Sequence, residues 1–173
     1  MPSRDYRGLF VDQARAATLL ERIFYRAIPP DSHSSVFEPG YSFHAGNRYN
    51  PPGVLSALYF ADDEGRSRKE SGLPYAAEVF AVSVRLTRVV KLDPPTLGRL
   101  GIDRALLVQP RTDITAFREC QEIGLAAMQD GAAGLLVPSA FPGTAEQNFN
   151  LVVYPAALAT LAGLTMIRKV SGP

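Results

Sequence analysis

Twenty-eight glycines and prolines are scattered through the 173 residues as turn punctuation, so the apolar sequence is cut into short segments rather than long runs. From Ala77 to Leu92 the residues Phe80, Val82, Val84 and Leu86 alternate with more polar neighbours, the period-two signature of a half-buried strand. The segments 23–28 (IFYRAI, ended by Pro29 and Pro30), 55–61 (LSALYFA), 133–137 (AGLLV), 150–154 (NLVVY) and 164–170 (LTMIRKV) read as further strands. Helical signals are fewer. Residues 14–22 suit a short helix, and Asp62 to Gly72 is acidic at its start, which suits a first turn. Thr112 to Asp130 is the longest helix, with Ile114, Phe117, Ile123 and Ala127 near helical spacing, Asp113 as N-cap and Gly131 as stop. A further helix opens at Pro155, while LGRLG at 97–101 and GAAG at 131–134 read as turns. Several strands with few helices and no repeated strand-helix-strand unit predict an α+β fold with a largely antiparallel sheet. No linker, repeat or heptad interrupts the chain, so residues 1–173 are read as one domain.

Charge and cysteine usage exclude several function classes. Eighteen basic against seventeen acidic residues leave a net charge of +1, a poor basis for direct nucleic-acid binding. The apolar stretch from Ala156 to Ile167 is shorter than the ~20 residues of a membrane span, and MPSRDYRGLF has no apolar leader segment. A cytoplasmic protein is expected. The single cysteine, Cys120, rules out an internal disulfide framework, and with His33 and His44 it is too few for the usual zinc cage. Cys120 falls within a helix, where a small packing residue is expected rather than a nucleophile. Fifteen of the eighteen basic residues are arginine, whose planar fork suits phosphate and carboxylate better than an ammonium does.

Four local features carry possible chemistry. Arg26 lies inside an apolar strand beside Tyr25, where a permanent charge needs either an internal carboxylate or a ligand anion. Asn47 and Arg48 belong to GNRYNPPG at 46–53, a rigid loop able to hold an anionic ligand or simply to turn the chain. Tyr25, Tyr41, Tyr49 and Tyr59 flank these arginines and are either core or stacking surfaces. Glu70 follows the strand carrying Tyr59 by eleven residues, enough for a helix to fold it back across that strand's end; Glu64 and Glu78 compete with it. Ser139 emerges at a strand end after Pro138, with no G-x-S-x-G elbow, so its hydroxyl is expected to hydrogen-bond a ligand or a glutamate rather than attack.

In order and spacing, YRAIPP at 25–30, GNRYNPPG followed by ALYFA within 46–61, Glu70, and GLLVPSAFPGTAEQNFNLVVYP at 134–155 together resemble the RES-domain family, toxins of bacterial RES–Xre type II toxin–antitoxin pairs. The resemblance covers most of the chain. It implies an ADP-ribosyltransferase-like fold, two small, mainly antiparallel sheets splayed around an NAD+ cleft with flanking helices. It implies NAD+ as substrate without a metal, cleaved at the nicotinamide–ribose bond, with water, phosphate or a host protein as acceptor. Arg26 and Arg48 match the arginines expected to hold the NAD+ phosphates; Tyr25 and Tyr59, with Asn47, match positions beside the ligand; Glu70, Ser139 and Arg26 match the catalytic trio. The implied partner is an Xre-type DNA-binding antitoxin. The alternatives are an ADP-ribosyltransferase acting on one host protein and, from another class, a catalytically silent nucleotide-binding module.

Overall fold

The computed structural model describes residues 4–29, 36–39, 42–71, 78–140, 148–158 and 162–170. In chain order the elements are α1 (Val11–Ala16), β1 (Leu20–Ile28), α2 (Ser42–Ala45), β2 (Leu58–Ala61), α3 (Glu64–Glu70), β3 (Glu78–Leu86), β4 (Val89–Lys91), α4 (Pro94–Leu100), α5 (Arg104–Leu107), α6 (Ile114–Gln129), β5 (Gly134–Pro138), β6 (Phe149–Val153), a 3-10 turn (Pro155–Ala157) and β7 (Leu164–Val170). The fold is α+β, as expected. His33 and Tyr41 lie outside the described residues, as do Ala77 and Gly72 at the ends of two expected elements.

Locally signalled elements form where the sequence places them. The Asp113 carboxylate accepts the Ala116 N–H at 3.0 Å, and Gly131, at φ 94°, follows the last turn of α6. Boundaries set by distant pairing differ from expectation. The helix expected over 14–22 ends at Ala16, because nine consecutive pairings from Leu20↔Leu86 to Ile28↔Glu78 draw residues 20–22 into β1. The single strand expected over 77–92 is two, broken at Thr87–Arg88, where Arg88 takes φ 59°. LGRLG is the end of a helix rather than a turn: Asp93 caps α4, two prolines open it, and Gly101 closes it.

Two small sheets were expected; the seven strands instead form one sheet in the order β4-β5-β6-β2-β1-β3-β7. All its pairings are antiparallel except β4 with β5. The joint between its halves is narrow. β1 and β2 share the single register pair Tyr25↔Ala61, whereas β2 and β6 share four and β1 and β3 nine. Continuing the β1/β2 ladder would pair Arg26 with Phe60, Ala27 with Tyr59 and Ile28 with Leu58, so the strands part just where β1 runs on.

The sheet bends across this joint and encloses one of its own faces. Phe24, Val82 and Val84 from one half pack with Leu58, Leu151 and Val153 from the other, and among the described residues no helix contributes to this core. A second core fills the opposite face of β5, β6 and β2, where Leu135 and Val152 meet Phe10, Leu97, Leu107 and Ile123 from α4, α5, α6 and the N-terminal segment. No described helix is long and apolar enough to cross a membrane.

α6 approaches the loop after α2 very closely at Gly124. A Cβ on Gly124 would stand 2.1 Å from the Tyr49 carbonyl oxygen and 3.0 Å from the Tyr154 hydroxyl. Alanine would gain about 1 kcal/mol of helix propensity there, but a contact with backbone cannot be relieved by a rotamer change. Gly124→Ala is therefore expected to lower the unfolding free energy by about 1–3 kcal/mol, the usual range for overpacking, measured by urea denaturation. A variant as stable as the parent would show that the loop moves away freely.

Candidate functional site

The last residue of α3 brings the expected carboxylate and serine together. Asp63 caps α3 by accepting the Arg66 N–H at 3.0 Å, and the helix packs on β1, β2 and β3. Glu70 then reaches across the sheet. Its Oε1 accepts from the Ser139 hydroxyl at 2.6 Å, and its Oε2 accepts from the Asn150 side-chain amide. Ser139 is buried at the end of β5, and its backbone N–H donates to the Asn148 carbonyl at 3.0 Å. Of the competitors, Glu64 meets Arg68 at 3.4 Å and Glu78 pairs with Lys169. Neither touches Ser139.

Register places Tyr25 on the same face. Val137, Asn150, Ala61 and Tyr25 are successive partners across β5, β6, β2 and β1, and residues opposed in antiparallel pairs project to one side. Two strand spacings put Tyr25 about 10 Å from Asn150. Asn150 was not singled out in the sequence as a site residue. Its one signal is a polar amide inside an apolar strand, flanked by Phe149, Leu151, Val152 and Val153.

Arg26 points the other way, beside the parting of β1 and β2. Its guanidinium lies 5.9 Å over the Phe60 ring and donates to the carbonyls of Val36 at 2.5 Å and Glu38 at 2.7 Å. Among the described residues no carboxylate pairs with it. Carbonyl dipoles do not neutralise the charge, and burial pushes the Arg26 guanidinium down to about 10, which leaves it protonated at neutral pH.

Arg48 and Asn47 form a third cluster, built on Tyr59 and α6. Asn50 is wholly buried, donates to the carbonyls of Ser42 at 2.5 Å and Leu55 at 3.0 Å, and accepts from the Tyr59 hydroxyl at 2.7 Å. That hydroxyl in turn accepts the Tyr49 N–H at 3.0 Å. Burial raises the Tyr59 phenol above its ordinary value, so it stays a neutral donor. Arg48 donates to the carbonyls of Leu107 at 3.3 Å and Gln109 at 2.7 Å with its guanidinium 5.8 Å over Phe117. The Asn47 side chain accepts from Arg111 at 2.8 Å, and its carbonyl accepts from Gln121 at 3.1 Å. Tyr59 is thus a loop anchor through its hydroxyl, a role the sequence reading did not give it.

The chain therefore groups Glu70, Ser139 and Asn150 directly, sets Tyr25 in the same row, and holds Arg26 and Arg48 in separate clusters on carbonyl oxygens. An ionised glutamate steadied at both oxygens can stabilise a neighbouring positive charge or accept from hydroxyl groups. Arginine forks can exchange carbonyl partners for phosphate oxygens, a stronger charge-assisted contact. A concavity of about 400 Å³ lined by Tyr6, Asp103, Asp113 and Glu119 shares none of these residues.

No curated protein matches the chain. A chain in the crystal structure of the M. tuberculosis MbcT–MbcA toxin–antitoxin complex is similar to it, with a TM-score of 0.70 and 22% identity over 95% of this chain and 92% of that one. The RES domain model matches residues 23–166, which hold every candidate site residue from Tyr25 to Asn150 and most of the folded chain; the protein belongs to the RES domain family.

Proposed function

We propose that this chain is a toxin that consumes NAD+ through an ADP-ribosyltransferase-like site, cleaving the nicotinamide–ribose bond and passing ADP-ribose to water, phosphate or a protein side chain. The observation that carries the reading is Glu70, whose two carboxylate oxygens are each held by a side-chain donor in a member of the RES domain family. Its partner is an antitoxin of the Xre type that covers the site, and it acts in the cytoplasm. The similarity to a chain of a toxin–antitoxin complex supports the pairing.

The chemistry follows from the residue types. The bond between ribose C1′ and the nicotinamide nitrogen breaks with its electron pair leaving on nitrogen, which makes nicotinamide neutral. Positive charge then develops on the ribosyl centre. Glu70 stabilises it through space and by accepting from the ribose hydroxyls, and Ser139 holds the carboxylate for that purpose. The acceptor atom closes the new bond to C1′, and any proton it carries passes to solvent. Arg48 holds the pyrophosphate, Arg26 reaches it from the other face through the parting of β1 and β2, Asn47 shapes the loop that presents Arg48, and Tyr25 and Tyr59 border the ligand. Their contribution is orientation rather than proton transfer.

Two measurements test this reading. Purified protein incubated with NAD+, with and without inorganic phosphate, releases nicotinamide, whereas Glu70→Gln, which keeps the shape and loses the charge, loses on the order of 100-fold or more in rate, as expected when a charge-stabilising group is removed. Full activity in a folded Glu70→Gln protein would move the catalytic role elsewhere. Arg26→Lys and Arg48→Lys each keep the charge and lose the fork, so each weakens NAD+ binding in titration calorimetry by about 1.5–3 kcal/mol. Unchanged affinities would remove the arginines from the phosphate site.

A further inference from the structure

The contacts of Asn150 are unusual for a residue that serves only the fold. An ionised carboxylate is an acceptor alone, so the amide facing Glu70 must present its Nδ2, and the orientation of the side chain is fixed by chemistry. Among the described residues, that orientation leaves Asn150 Oδ1 buried without a hydrogen-bond partner. A buried acceptor left unpaired destabilises the folded state, and in native proteins such atoms call for an explanation outside folding. Position 150 also lies inside a strand between Phe149 and Leu151, where a β-branched apolar residue would suit the pleat better.

The surroundings explain what the amide is kept for. Ser139 engages Oε1, and with that contact alone the carboxylate could still turn about its last torsion. Asn150 removes that freedom by engaging Oε2 from the neighbouring strand. The backbone that carries it is tied to the helix that carries Glu70. Asp62, whose side chain is 5% exposed, accepts the Phe149 N–H at 3.3 Å and pairs with Arg66 of α3, so one buried carboxylate ties both elements together.

We propose that Asn150 is a positioning residue for Glu70, holding Oε2 while Ser139 holds Oε1, so that the lone pairs left over face the ribose hydroxyls of the nucleotide in a single geometry. This rests on the NAD+-cleaving reading of the site. Asn150 acts through Glu70 and contacts neither the bond that breaks nor the acceptor.

The test compares Asn150→Val and Asn150→Ser with the parent for kcat and KM of nicotinamide release and for thermal midpoint. In both, kcat falls on the order of 10- to 100-fold, the scale of a misplaced catalytic group, while KM stays within about twofold. The midpoint of Asn150→Val stays close to that of the parent, since loss of the unpaired acceptor offsets loss of the donor to Glu70 Oε2. In a Glu70→Asp background, whose shorter carboxylate cannot reach Nδ2, adding Asn150→Val costs less than about twofold more. An unchanged kcat, a loss that persists in full in the Glu70→Asp background, or a kcat loss that tracks a lowered midpoint in both variants overturns the assignment. Parent protein that releases no nicotinamide overturns the reading of the site itself, which separates the two failures.

Discussion

The joint between β1 and β2 determines how the rest of the molecule is arranged. Strands in a sheet satisfy their backbone donors and acceptors by pairing, and β1 does so with β3 along its whole length while giving β2 one pair. A full ladder there would hold the sheet open and lay its two halves side by side. With one pair, the halves can turn toward each other, and Phe24, Val82 and Val84 meet Leu58, Leu151 and Val153 in an interior made of sheet alone. The segment around Val36 serves the parted side. Its side chain joins that interior, and the carbonyls of Val36 and Glu38 receive the Arg26 guanidinium. α3 packs across both β1 and β2 on the other face, so the helix that bridges the joint is the one that delivers Glu70.

The loop from α2 to β2 is fixed from two directions, which explains how a segment rich in turn residues can present side chains in a set geometry. From the sheet side, Tyr59 and Asn50 tie its ends together, and Ser42 closes it further by exchanging hydrogen bonds with both the carbonyl and the N–H of Ala57, at 2.9 and 3.2 Å. From the helix side, Gly124 lets α6 lie directly on the Tyr49 carbonyl, and Gln121 holds Asn47. Arg48 is thereby oriented by the fold itself, and at the proposed phosphate site such prior orientation lowers the entropic cost of binding.

Features governed by local chemistry were legible in the sequence. Strand β7 matches its expected span of 164–170, and the cap Asp113 and stop Gly131 bound α6 as expected, because alternation and capping depend on a few adjacent residues. The end of α1, the division of β3 from β4 and the joining of the strands into one sheet were not legible, since each is decided by pairing between segments far apart in sequence. The same division holds at the site. The spacing and order of Arg26, Arg48, Glu70 and Ser139 could be read, and Glu70 and Ser139 do meet. Asn50 and Asn150 were harder to read: an asparagine in a turn is ordinary, a lone amide in an apolar strand is a weak signal, and only the tertiary fold brings Oδ1 of Asn50 to Tyr59 and Nδ2 of Asn150 to Glu70. An internal carboxylate or a ligand anion was expected at Arg26, but sequence does not display backbone carbonyls.

Those carbonyls account for part of the bias toward arginine. Arg4 donates to Leu100 and Gly101, Arg26 to Val36 and Glu38, Arg48 to Leu107 and Gln109, and Arg88 to Gly131 and Ala157. In each case one rigid fork joins two carbonyl oxygens outside its own segment, on a single segment for Arg4, Arg26 and Arg48 and on two for Arg88. A lysine ammonium on a flexible stem would have to order more side-chain freedom for each such contact. In a chain cut so often by glycine and proline, many carbonyls near turns and helix ends have no ladder to join, and Arg4 at the end of α4 also meets the negative pole of that helix. The arginine content is thus first a means of fastening irregular backbone. A guanidinium carries five N–H donors and uses two or fewer nitrogens on carbonyls here, so Arg26 and Arg48 keep both their charge and spare donors. Fastening and anion binding are compatible on the same side chain, which is why the same residue type could serve both the loops and the proposed phosphate site.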